Sequence, residues 1–330
     1  MTVTPSPHMK TKRTTKRIMI DVALALIPSA AAGVVYFGLP AALLLLVCVA
    51  SAFWAELLFY CCSRFSLKNF KQTLLGFFRQ FDFTSCVTGL ILACSLPASY
   101  GCLPGGALGA VFAIIGAKTL FGGTGKNIAN PAVTGRIFAF LSFTAATVYP
   151  AARFGSVAGT STLATGATQL ARLLQGEETL SALDLFLGTG VGGCLGETCK
   201  VAILAGYLFL VLRGVITWYL PLLALAATGA GAVLFGGLHF SLFLPAILSG
   251  GVAFGAVFMA TDYVTSPKTA LGNIIYFILF GFLTALLRMA TGVETASFCL
   301  LLMNFTVVFF DLAIKARPFG SKNRKKEVAA

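Results

Sequence analysis

Four short segments of this 330-residue sequence interrupt an otherwise apolar text with residue types that do chemistry. The first runs Phe121-Gly122-Gly123-Thr124-Gly125-Lys126-Asn127-Ile128-Ala129-Asn130-Pro131 and on to Arg136. Glycines such as Gly122 and Gly123 let backbone approach a ligand or another helix, Pro131 opens a helix, and Asn127 and Asn130 supply paired donors and acceptors. The stretch equally reads as a turn between two spans. It lacks Walker spacing, and Asn127 rather than Ser or Thr follows Lys126, so nucleotide hydrolysis is not expected. The second segment, Ala260 to Thr269, contains Asp262 and Pro267. Gly255-Ala256-Val257-Phe258 precedes it as Gly109-Ala110-Val111-Phe112 precedes the first. Two Pro-interrupted segments in different halves fit a duplicated fold with broken helices around a buried site.

The third segment, Gly190 to Lys200, is glycine-rich and carries Glu197 and Lys200 inside an apolar stretch. Each charge would cost roughly 2.5–3.5 kcal/mol at a bilayer centre. Spacing of three places both on one helix face, so they either line an intramembrane ion or cofactor path or neutralise each other. The fourth, Thr160 to Leu174, contains Thr165-Gly166-Ala167-Thr168. Leu170, Leu173 and Leu174 follow at helical spacing, so Thr165 or Thr168 also reads as the cap of a short interfacial helix. Asp82, directly before Phe83-Thr84-Ser85, reads as the N-cap of a span. No serine or cysteine nucleophile with its base occurs, and no catalytic residue is assigned. Cys194 and Cys199 are too loosely spaced for a metal motif, so neither a zinc site nor a disulfide is expected.

The elements that must position these segments follow from composition. Apolar residues make up 58% of the chain and charged ones 11%, against roughly 25% charged in soluble proteins. That excludes a soluble domain, disorder and a coiled coil. The charge-free intervals are continuous rather than alternating, which excludes a β-barrel. The expectation is an all-α polytopic membrane protein of about ten transmembrane helices with glycine- and proline-broken segments. The predicted spans are Ile18–Gly38, Ala41–Cys61, Phe83–Leu96, Leu103–Leu120, Pro131–Tyr149, Leu185–Leu212, Val215–Phe235, Leu242–Ala260, Ala270–Ala290 and Thr295–Ile314.

The net charge of +13 is not a nucleic-acid signature, because its basic groups precede the first span, follow the second and follow the tenth. With ten spans all three fall on one face, which the positive-inside rule makes cytoplasmic. Lys118, Lys126, Arg136, Arg213 and Lys268 are expected on that face too. The chain then divides into a basic N-terminus at 1–17, a membrane domain at 18–314 with an external loop at about 150–184, and a basic tail at 315–330. The first apolar run lacks a convincing cleavage site and reads as an uncleaved span. Anionic lipid is the secondary partner of the basic groups.

Taken together, these motifs resemble two related families: the D subunit of the Rnf ferredoxin:NAD oxidoreductase complex and the B subunit of sodium-translocating NADH:quinone reductase. The resemblance rests on Asp82 to Ala93, on the glycine-rich loop ending Asn127, Asn130 and Pro131, and on Thr165 to Thr168. It continues through Gly193 to Thr198, Thr261-Asp262, and the closing Asn304, Asp311 and Arg317-Pro318-Phe319-Gly320. Length and Thr-Asp-Tyr-Val-Thr-Ser-Pro favour the Rnf subunit, with the quinone reductase subunit as the alternative. The resemblance implies FMN joined through its phosphate to Thr168 by a flavin transferase, with Thr165 at the first motif position. It also implies riboflavin bound in the membrane, for which Asn127, Asn130, Gly122 and Gly123 are the matching groups. It further implies other subunits of the complex, Na+ or H+ export and a cell (inner) membrane location, where the charge placement above puts both termini on the cytoplasmic side. Lacking a Rossmann fingerprint and an iron-sulfur ligand set, the chain is expected to carry electrons rather than to hold a complete active site. The competing class is a small-solute channel or secondary transporter.

Overall fold

The computed structural model describes residues 14–64, 70–150, 181–188 and 192–314. Among these the regular elements are helices: α1 (Thr15–Phe37), α2 (Leu39–Ser63), α3 (Phe70–Gln80), α4 (Thr84–Cys94), α5 (Leu103–Phe112), α6 (Pro131–Ser142), α7 (Ala182–Leu187), α8 (Lys200–Leu212), α9 (Tyr219–Phe235), α10 (Phe243–Leu248), α11 (Val252–Phe254), α12 (Ala270–Thr291) and α13 (Ala296–Ala313). Boundaries follow local chemistry. The Thr14 side chain accepts from the Arg17 N–H to start α1, Gly38 at φ 70° ends it, and Pro40 in the first turn of α2 sacrifices only an N–H that a helix start leaves unpaired.

Among the described residues five helices are long and apolar enough to cross a membrane: α1, α2, the continuous run Tyr100–Thr119 that contains α5, α12 and α13. A sixth crossing is formed if Phe240–Leu248 and Val252–Met259 count as one span bent by 64°. Helices α4, α8 and α9 are apolar but shorter, at 11, 13 and 17 residues, so the predicted bundle is partly built of pieces shorter than a full span. The predicted span Leu185–Leu212 is not one helix. Among its described residues α7 at its start and α8 at its end are helical, and residues 192–199 between them are irregular. There the Leu195 and Gly196 N–H groups donate to the carbonyls of Leu96 and Cys94, at 3.0 and 2.7 Å. The irregular stretch thus pairs with the C-terminal end of α4, and backbone that a helix would satisfy internally is satisfied between two broken segments.

Small residues set the tightest helix contacts. A Cβ on Gly206 of α8 would overlap the Ala25 carbonyl oxygen of α1, and one on Gly281 of α12 would overlap that of Ala224 in α9. Between α5 and α6, a Cβ on Gly135 would lie 2.6 Å from the Gly109 oxygen. Such close backbone approach is how helices associate in lipid, where no hydrophobic force separates one apolar face from another.

The repeated Gly-Ala-Val-Phe has a structural counterpart. After Gly109–Phe112 the helix widens into a π-helical stretch at Ala113–Thr119, and Gly255–Met259 is itself π-helical. Both widened stretches run into the polar segments, at 121–130 and 261–269.

Candidate functional site

One cleft gathers both polar segments at the end of the bundle where α1 starts and α8 finishes. It encloses about 840 Å³, counting the space open at its mouth. Its apolar walls come from Ile18, Val22, Val87, Ile91, Ile216 and Phe258, and its polar wall from Thr84, Thr88, Lys118, Thr124, Asn127 and Asp262.

The polar wall is wired. Lys118, buried in the π-helical stretch, donates to Glu56 Oε1 at 2.5 Å and to Thr84 Oγ1. Thr84 Oγ1 donates to Asp82 Oδ1 at 2.6 Å, and Thr124 Oγ1 donates to Asp82 Oδ2 at 2.9 Å. Burial opposes ionisation of Asp82. The hydrogen bonds from Thr84 and Thr124 and the nearby Lys118 ammonium outweigh it, holding the carboxyl below the usual range. Asp82 caps α4 from one position earlier than expected: Phe83, with φ 65°, is the capping residue, and the Asp82 carboxylate takes the Thr84 N–H at 3.1 Å. Opposite it, burial pushes the Asp262 carboxyl up, against the hydrogen bonds of Thr265, Val264 and Asn127 that hold it down.

The six residues read as site candidates from sequence divide three ways. Asn127 lines the cleft and donates from Nδ2 to the Ala129 carbonyl at 3.3 Å. Asn130 also lines it, but its amide already has partners at both ends. Oδ1 accepts from the Ala132 and Val133 N–H groups as the cap of α6, and Nδ2 donates to the Met259 carbonyl at 3.0 Å. Asn304 adds a second tie. With its carbonyl toward the Asn130 N–H (3.0 Å), its amide nitrogen faces the Thr265 carbonyl (3.2 Å). Asn130 therefore fixes the first polar segment to the second. Gly122 and Gly123 do not line the cleft. Their φ values of 108° and 91° instead fold the loop so that Thr124 and Gly125 reach it. Thr165 and Thr168 lie outside the described residues.

A second constellation is buried inside the bundle. Arg136 of α6 meets Glu197 at 2.9 Å, and Arg288 of α12 holds Glu294 through Nη2 at 2.8 and 2.7 Å. Between them stands the break that separates α10 from α11. A Cβ on Gly251 would overlap the Glu197 carboxylate, and one on Gly250 would overlap that of Glu294. Lys200 donates to the carbonyls of Glu197 and of Gly250, the latter at 3.0 Å. Glu197 and Lys200 therefore do not neutralise each other side chain to side chain on one helix face. Glu197 precedes α8, and its partner is an arginine from another element. Nor do Lys118 and Arg136 belong with the exposed basic groups, being 3% and 6% exposed.

The profile of the NQR2, RnfD, RnfE family matches residues 2–320. The chain belongs to this family. Among its relatives is the D subunit of the Na(+)-translocating ferredoxin:NAD(+) oxidoreductase complex of Acetobacterium woodii, 37% identical over all of this chain and 98% of that one. The proton-translocating counterpart of Clostridium ljungdahlii is 32% identical over 97% of this chain and 96% of its own. The D subunit of an ion-translocating oxidoreductase complex of Marinobacter nauticus is 32% identical over 98% and 96%. For this member of the NQR2, RnfD, RnfE family, sequence reading overlooked Glu56, Arg288 and Glu294 as parts of buried constellations. Glu56 was detectable in principle, being an acid inside the span predicted at Ala41–Cys61, where a lone charge needs a partner.

Proposed function

We propose that this chain is the D-type subunit of a membrane-bound, ion-translocating ferredoxin:NAD oxidoreductase, and that it carries flavin. Riboflavin would occupy the cleft, and FMN would be esterified through its phosphate to Thr168 by a flavin transferase acting on the external loop. Both termini would be cytoplasmic in the cell membrane, and electron passage would be coupled to export of Na+ or H+. The names of relatives matching nearly end to end support the complex. The observation that carries the flavin reading is the division of the cleft into apolar faces and one wired polar wall.

That division suits an isoalloxazine, a flat ring with apolar faces and one edge of carbonyl and nitrogen acceptors. Ile18, Val22, Val87, Ile91 and Phe258 would cover the faces and exclude water, while Lys118, Thr124 and Asn127 would meet the polar edge or the ribityl hydroxyls. Once bound, the flavin supplies reversible electron transfer, and this chain's own residues supply position and dryness. Asn130 acts one step back, holding the two polar segments at a fixed separation.

The test is flavin content. Purified chain, denatured and run on a gel, shows in-gel flavin fluorescence that Thr168→Ala abolishes, while solvent extraction still releases riboflavin. Intact mass with FMN still attached to the Thr168→Ala protein would refute the attachment site. Absence of all flavin, covalent and extractable, would favour a small-solute transporter, a reading that draws on the bent pair α10–α11. Ferredoxin- and NAD-reactive subunits co-purifying with the chain distinguish it from a quinone reductase subunit.

A further inference from the structure

Lys118 is the cation on the cleft's polar wall, and its hydrogen bonding is incomplete. An ammonium has three N–H donors. One goes to Glu56 Oε1 and one to Thr84 Oγ1, and among the described residues none accepts the third. The other half of the pair is also underused, since Glu56 Oε2 is buried with no partner among them. Burying a lysine and a glutamate carries a desolvation cost that is offset only when both ions are fully hydrogen-bonded. A pair kept only for stability would be replaced by apolar residues at little loss. What the arrangement provides is a buried ammonium on the cleft's polar wall, facing apolar side chains, with Glu56 and Thr84 fixing its direction.

We infer that Lys118 selects the ligand of this cleft by donating its third N–H to a ring carbonyl oxygen at the acceptor-bearing edge of a heteroaromatic molecule, with Glu56 as the positioning residue. The inference rests on the flavin reading above, where that edge is the pyrimidine side of the isoalloxazine. Thr124 and Asn127 are left for the ribityl hydroxyls. Selection follows from the cost of an unmet donor: a flat apolar molecule without a carbonyl would cover the third N–H and leave it without an acceptor, and a site built to bond a polar group rejects analogues that lack it.

The experiment uses the purified full-length chain, stripped of extractable flavin and titrated with riboflavin, with infrared difference spectra of the bound ligand's carbonyl stretch. Lys118→Met, and the double change Lys118→Met with Glu56→Gln, which leaves no unpaired buried charge, are compared with wild type. Loss of one charge-assisted hydrogen bond weakens riboflavin about ten- to a hundredfold in both variants and moves the carbonyl band to higher frequency in whatever flavin remains. Glu56→Gln alone weakens binding less and moves the band part of the way. A structural role would not move the band. Wild-type affinity with an unmoved band in the double variant overturns the inference and leaves the flavin reading standing. Failure of wild type to bind riboflavin at all overturns both.

Discussion

Arg288 and Glu294 show how much one buried pair carries. Both side chains are almost fully enclosed, at 2% and 7% exposure, and the guanidinium also donates to the Ala246 carbonyl at 3.1 Å, tying α12 to α10. Removing one partner of a buried pair strands the other, which costs about 3–5 kcal/mol, whereas replacing both with apolar residues of similar size is far milder. Glu294→Gln is therefore expected to lower the unfolding temperature in detergent by more than Arg288→Met with Glu294→Leu. Thermal scans of the two proteins decide it, and a double variant less stable than the single one would show that the pair contributes through more than charge compensation. At this same scale the sequence was legible for Asn127, which lines the cleft. It pointed equally to Asn130, which lines the cleft too, but no pattern along the chain reveals that this amide both caps α6 and reaches the Met259 carbonyl.

Among the elements, several helix contacts rest on close backbone approach at a glycine. The α1–α8 contact rests on Gly206, where any side chain collides with the main chain of Ala25 rather than with a flexible group that can swing aside. Gly206→Val should cost on the order of 1–3 kcal/mol through overpacking. Gly123→Ala carries no comparable collision, since an added methyl group would meet nothing within 4 Å, and it is strained only by its φ of 91°. Detergent melting curves should rank Gly206→Val as the more harmful of the two; the reverse order would show that loop conformation outweighs helix packing. The broken elements were visible in the sequence as glycine-rich interruptions. Their consequence was not, since the glycines of 192–196 permit an irregular path but do not state that it pairs with the end of α4.

For the whole molecule, the orientation proposed from charge placement has a direct check. In a cysteine-depleted background, Ser161→Cys should react with an impermeant thiol reagent in intact cells and Ser321→Cys should not. Reaction at position 321 instead would reverse the topology and place Thr168 beyond an external flavin transferase.

Fold class was determined by the sequence alone, because lipid demands long uncharged runs and internally satisfied backbone, and both demands are written in one dimension. The family was legible for a related reason: its motifs lie within short contiguous segments whose spacing survives in the linear text. The tertiary structure decided what those segments face. Asp82, Glu56, Lys118 and Asp262 come from separate elements, and nothing in the sequence ranks Glu56 above Glu197 as the partner of Lys118. A charge placed near the end of a predicted span reads as a topology signal, and only the packing of neighbouring helices showed Lys118 and Arg136 to be enclosed, because burial is a property of what surrounds a residue and not of its place in the chain.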